Sequence, residues 1–143
     1  MIRYQHDLKG LTPDQLTGFF VGWPNPPDRD THWKIMQGSD EIVIAIDDAS
    51  GAAAGFITAI TDGVLAAYIP LLEVRPDYQG RGIGRELTRQ MLQKLAGYYM
   101  IDLITEQRLQ RFYEPLGLRP QFAMVIRDFK HQNGRRHNDS PIV

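Results

Sequence analysis

Hydrophobic and polar positions along this chain change their period several times, and each change marks an element. Glu41 to Asp47 (Glu-Ile-Val-Ile-Ala-Ile-Asp) reads as a strand, Asp48 to Gly51 as a turn and Ala53 to Thr61 as the returning strand of a hairpin. Asp62-Gly63 is a second turn signal, so Val64 to Val74 becomes the next strand, with Pro70 predicting a bulge because proline cannot donate to a ladder. Ile83, Leu87, Met91 and Leu95 then recur every fourth residue, which is the apolar stripe of a helix that starts near Gly82 and stops at Gly97. Tyr98 to Thr105 reads as a buried strand, parallel to the strand before the helix because a helix joins them.

The two ends of the chain follow the same logic. Ile2 to Tyr4 reads as a short first strand. Leu11 to Phe20 has helical spacing, with Thr12 as N-cap and Pro13 in the first helical position, and the Trp23 to Pro27 segment breaks it. A short helix is expected over about Asp28 to Gln37, and another over about Glu106 to Leu116 with Gly117 as its stop. Phe122 to Phe129 reads as a final strand, and residues 130–143 as a loose polar tail. The expectation is one α/β domain over residues 1–129, a mixed sheet flanked by helices, with no internal repeat.

Composition narrows the functional classes. At 143 residues, 43% hydrophobic and 23% charged, the chain is of ordinary globular make-up. A net charge of −1 offers no broad cationic face for nucleic acid. The absence of cysteine excludes disulfides, thiolate metal sites and a cysteine nucleophile. Four scattered histidines lack the H-E-x-x-H arrangement, so no metal is expected. No apolar window approaches the roughly 18 residues of a membrane span, and a cytoplasmic protein without membrane contact is the expectation.

Chemistry concentrates in the stretch from Leu72 to Leu87. Glycines at 80, 82 and 84 remove the side chains that keep backbone away from a ligand, and the following helix offers unpaired N–H groups and the positive end of its dipole. Arg81 and Arg85 add positive charge. A pyrophosphate-bearing ligand suits this loop. Arg85 stands where a Rossmann fingerprint needs a small residue, and the P-loop pattern is absent.

Val74-x-Pro76-x-x-Gln79 followed by Gln79-x-x-Gly82-x-Gly84 closely resembles motif A of the GNAT superfamily of N-acetyltransferases, and Arg111-Phe112-Tyr113-Glu114-Pro115-Leu116-Gly117-Leu118 resembles its motif B. The resemblance covers about Glu41 to Phe129. It implies a largely antiparallel sheet with one splayed parallel pair of strands, and acetyl-CoA as cosubstrate. Leu72, Val74, Gln79, Gly80, Arg81, Gly82, Ile83, Gly84 and Arg85 are the cofactor-binding residues it implies. Tyr113 is the implied general acid for the departing thiolate; its other reading is a core tyrosine. Motif B departs from the family where Glu106 and Leu109 replace a frequent Asn and Ala. In the family, direct attack by a primary amine in a ternary complex moves the acetyl group.

Such an amine must lose a proton. Glu73, a carboxylate inside the apolar run Ile69 to Val74, is the candidate base, because burial raises its pKa. Its alternatives are an arginine partner or a solvated face. Phe19, Phe20, Trp23 and Trp33 suggest an aromatic wall or, more simply, core. The acceptor, a small molecule or a protein amine, is unnamed by the sequence, and family members often form homodimers. Two other classes stay open: a non-catalytic CoA-binding sensor, and an interaction domain whose glycine loop is only structural.

Overall fold

The computed structural model describes residues 1–136. Five strands form one sheet in the order β1 (Ile2–Gln5), β2 (Glu41–Asp47), β3 (Ala53–Thr61), β4 (Ala66–Val74), β5 (Met100–Leu103). The first four pair antiparallel and β4 pairs β5 in parallel, with α2 (Ile83–Lys94) as the crossover. The helix α1 (Arg29–Gly38) precedes β2, and a single turn, α3 (Gln110–Tyr113), follows β5.

Side chains leave the sheet in two directions and build two cores. On one face, Val43, Ala45, Ile57, Ala67 and Ile69 meet the predicted stripe Ile83, Leu87, Met91 and Leu95. On the other, Ile42, Ile44, Ile46 and Phe56 meet Leu16, Phe20 and Met36 of the N-terminal segment and α1. In β4 the residues facing α2 switch from Ala67 and Ile69 to Leu72 and Val74. A change from odd to even positions requires one extra residue, and the β3–β4 register does shift there, from Thr58 opposite Leu71 to Ile60 opposite Tyr68. Pro70 sits at this bulge, as its missing donor predicts.

Several sequence expectations are corrected: the buried strand over Tyr98 to Thr105 shortens to Met100–Leu103, with Met100 and Asp102 exposed. Leu11 to Phe20 forms only one 3-10 turn, Pro13–Gln15, although Thr12 and Pro13 do begin it. The left-handed residues Gly18, Phe20 and Gly22 (φ 84°, 59° and 83°) end any helical continuation. The helix over Glu106 to Leu116 is three short turns, broken where Pro115 enters. No strand forms over Phe122 to Phe129: this segment joins no ladder of the five-stranded sheet. Residues 130–135 are tied down rather than loose: the Asn25 N–H donates to the Gln132 side chain at 2.8 Å, and Arg135 approaches Asp28 at 3.6 Å. The rest of the expected tail, 137–143, lies outside the described residues.

Candidate active site

Backbone geometry in the second half of β4 creates the site. The Arg75 N–H donates to the Ala54 carbonyl at 2.9 Å, which makes Gly55–Val74 and Ile57–Leu72 the pairs that do not bond to each other. The N–H and C=O of Leu72 and Val74 therefore point away from β3, toward the side where β5 would lie. The β5 ladder stops at Ile69 opposite Leu103. Beyond it, the Leu72 N–H and C=O and the Val74 N–H face the gap outside any ladder. The Gln79 side-chain amide donates to the Val74 carbonyl at 3.1 Å and closes the loop that follows, so Gln79 shapes this loop through its side chain.

At the end of that loop lies an open glycine turn whose backbone could hold an anion. Gly80 and Gly82 have φ of 77° and 80°, a left-handed conformation that glycine adopts without strain, and no atom lies within 4 Å of where either Cβ would stand. Helix α2 begins at Ile83, and its first bond runs from the Glu86 N–H to the Gly82 carbonyl at 3.1 Å. No side chain caps this N-terminus, so the N–H groups of Ile83, Gly84 and Arg85 are open at the positive end of the helix dipole. The Ile83 side chain is buried in the core, leaving only its backbone for a ligand. Arg81 and Arg85 are exposed, and neither makes a salt bridge among the described residues; Arg81 lies over the Tyr78 ring at 5.1 Å. Gly84 has a packing role: a Cβ there would stand 3.5 Å from both Phe112 and Val74. Motif A and motif B touch at this point.

Glu73 points to the opposite face from Leu72 and Val74. Its Oε1 accepts the Phe20 N–H at 2.8 Å, while Oε2 is buried with no partner among the described residues. Burial pushes its carboxyl above the usual range, and the Phe20 N–H opposes this in part. Among the described residues no arginine pairs with it, which removes one of the two alternatives. Leu72, Glu73, Val74 and Gln79 line one cavity of about 210 Å³ with Gly18, Val21 and Pro76. Tyr113 lies elsewhere, in a larger groove of about 830 Å³ that also takes in Tyr68, Thr105 and β5. Burial raises its phenol, with a hydrogen bond to Thr105 acting against the shift, so the hydroxyl keeps its proton at neutral pH.

Of the two readings of Phe19, Phe20, Trp23 and Trp33, the structure favours core. Phe19 and Phe20 pack edge-on around His32 and Phe56, at ring distances of 5.0 to 5.4 Å for the Phe19–His32, Phe19–Phe56 and Phe20–His32 pairs. Three contributors escaped the sequence. The Phe20 N–H reaches Glu73 across 53 residues, and no local pattern announces a backbone donor at that range. Gly18 lies 3.0 Å, measured from its would-be Cβ, from the Arg75 guanidinium. Tyr78, two residues before the first motif glycine, was within reach of inspection: its hydroxyl donates to Asp47 at 2.6 Å and its ring carries Arg81.

A five-stranded mixed sheet, splayed at its one parallel pair, with a glycine-rich turn between β4 and α2, defines a GNAT-like class of fold. Comparison with known proteins narrows this: the model of the acetyltransferase (GNAT) family matches residues 8–118, and the chain belongs to that family. It is 34% identical over 116 residues to GCN5-related N-acetyltransferase 1, chloroplastic, of Arabidopsis thaliana, covering 76% of this chain and 57% of the relative. An uncharacterized N-acetyltransferase, ycf52, of Pyropia yezoensis is 32% identical over 102 residues, covering 68% and 58%. The chain thus spans less than three fifths of the length of these curated relatives. A putative acetyltransferase from Deinococcus radiodurans has a crystal structure with a TM-score of 0.91 at 44% identity, covering 94% of both chains.

Proposed function

We propose that this protein transfers an acetyl group from acetyl-CoA to a primary amine by direct attack in a ternary complex. One observation carries the reading: the Leu72 backbone and the Val74 N–H facing the gap, the buried Glu73 carboxylate and the uncapped N-terminus of α2 follow one another along a single stretch of chain. Gly80 to Arg85 suit the pyrophosphate, with Arg81 and Arg85 adding charge. Leu72 and Val74 suit the amide-bearing arm of the cosubstrate. The amine nitrogen attacks the thioester carbon, the new C–N bond forms, and the C–S bond breaks.

Two protons must move. Glu73 Oε2, which has no other partner, takes the one from the amine. Tyr113, held neutral by burial, gives one to the departing thiolate. Leu72 N–H, aimed into the gap, polarises the thioester carbonyl, an effect typically of a few kcal/mol. Among the described residues no cluster of His, Asp and Glu has the makings of a metal site. The acceptor is a small-molecule or protein amine.

Thiol release from acetyl-CoA, followed across polyamines, aminosugars, amino acids and peptides with free N-termini, tests the reaction. The expected result is release that requires a primary amine and yields an acetylated product. Release at the same rate without amine would overturn direct transfer.

A further inference from the structure

Among the described residues Phe20 alone, apart from glycines, has a left-handed backbone, and it stands between Gly18 and Gly22, which share that conformation. A phenylalanine stays there only where its surroundings hold it, and such strain concentrates at functional positions. Three contacts hold this one. Its ring is buried and packs on Trp23, His32 and Phe56 at ring distances of 4.8, 5.0 and 6.1 Å. Its carbonyl accepts the Trp23 N–H at 3.2 Å. Its own N–H donates to Glu73 Oε1 at 2.8 Å. The torsion φ sets how the side chain lies relative to the N–H, so the left-handed turn lets the ring enter the core while the N–H faces β4.

We propose that Phe20 is a positioning residue for acetyl transfer: its anchored ring and left-handed turn hold the N–H on Glu73 Oε1, which fixes the rotation of the carboxylate and reserves Oε2 for the proton of the amine. The inference rests on Glu73 as the base. Glu73 lies directly across the β3–β4 ladder from Phe56, so the carboxylate stands beside a ring that Phe20 packs against. Gly18 and Val21, on either side of Phe20, line the same cavity of about 210 Å³ as Glu73. One short loop thus walls the cavity and clamps the base. A single N–H donor stabilises the ionised form that accepts a proton, without the full positive charge that would make it a poor base. Other titratable groups on this face of the sheet are engaged elsewhere. Arg75 approaches Asp77 at 3.4 Å, Tyr68 lines the larger groove, and His32 of α1 is kept neutral by burial down to about pH 4. The orientation of the carboxylate therefore falls to the Phe20 N–H, while Oε2 has no partner among the described residues.

Incorporating the α-hydroxy acid analogue of phenylalanine at position 20 replaces this one N–H by an ester oxygen and keeps every side chain, with a thermal melt to check the fold. In the ester protein kcat for amine acetylation at pH 7 should fall about 10–100-fold with KM for acetyl-CoA unchanged. The acid limb of the rate profile should move to higher pH, because the N–H stabilises the ionised carboxylate. A core role alone would move neither, since the ring stays in place. An ester protein with the parent's kcat and acid limb overturns the proposal. Phe20→Gly keeps the N–H and adopts a left-handed backbone without strain but loses the ring, and it should show the same loss and the same movement of the limb. A profile like the parent's in Phe20→Gly would overturn the anchoring role of the ring. Glu73→Gln separates this inference from the function on which it rests. A limb that survives in Glu73→Gln removes Glu73 as base and the role of Phe20 with it, whereas a limb lost in Glu73→Gln yet unmoved in the ester protein overturns the role of Phe20 alone.

Discussion

Glu73 holds a buried carboxylate with one oxygen committed and the other free. Only the ionised form accepts a proton, and burial raises the pH at which it forms. The rate of amine acetylation should therefore fall as pH drops through a pKa above the usual 4.5 of a glutamate. Glu73→Gln should lower kcat by about 10²–10⁴ and remove that acid limb, as rate profiles of the two proteins against pH would reveal. An unchanged limb in the variant would assign it to another group. His32 makes a prediction about stability. Both ring nitrogens are buried without partners among the described residues, and burial lowers its pKa from 6.5 to about 4. Below pH 6.5 the unfolded chain takes a proton that the native chain refuses until about pH 4. Stability from this residue is complete above pH 6.5 and falls by on the order of 3 kcal/mol down to pH 4. Melting curves of His32→Leu across this range should fall less steeply than those of the parent.

At the scale of elements, β3 and β4 approach closely because Gly55 lacks a side chain. A Cβ there would stand 2.9 Å from the Glu73 carbonyl oxygen and 3.0 Å from a Leu87 methyl. Backbone cannot yield as a flexible side chain can, so Gly55→Ala should cost about 1–3 kcal/mol in chemical denaturation. A neutral result would show that β3 shifts freely. Bounds of β2 and β3 were legible because Asp48 to Gly51 punctuates two apolar runs, and the α2 stripe because its spacing is local. The Pro70 bulge was legible too, from one missing donor. Phe122 to Phe129 has the composition of a strand, yet a strand forms only where a neighbour pairs with it, and sequence alternation does not report that. The start of β4 moved from Val64 to Ala66 because the Asp62 carboxylate accepts the N–H groups of Val64, Leu65 and Ala66 and holds them in a turn. Glycines 80 and 82 announced the left-handed turn before α2 from the sequence alone; the Phe20 N–H on Glu73 depends on folding and did not.

The whole molecule places its chemistry where the sheet comes apart. Two cores clamp β2, β3 and β4 from both faces, whereas β5 pairs for four residues and then diverges, leaving the end of β4 bonded on one side only. The strand runs from there through the glycine loop into α2, so one continuous segment offers backbone donors, an anion cradle and a carboxylate. Family membership agrees with this layout. Calorimetric titration of acetyl-CoA into the parent and into Gly82→Asp, with a thermal melt of each, tests the central claim most directly. The parent should bind, and at a hundred times its dissociation constant should gain about 2.7 kcal/mol, seen as a melting shift of several degrees. The aspartate, adding bulk and negative charge to the cradle, should abolish binding while its ligand-free melt shows a folded protein. A folded parent that takes up no acetyl-CoA at millimolar concentration, or a folded variant that binds it equally well, would contradict the account.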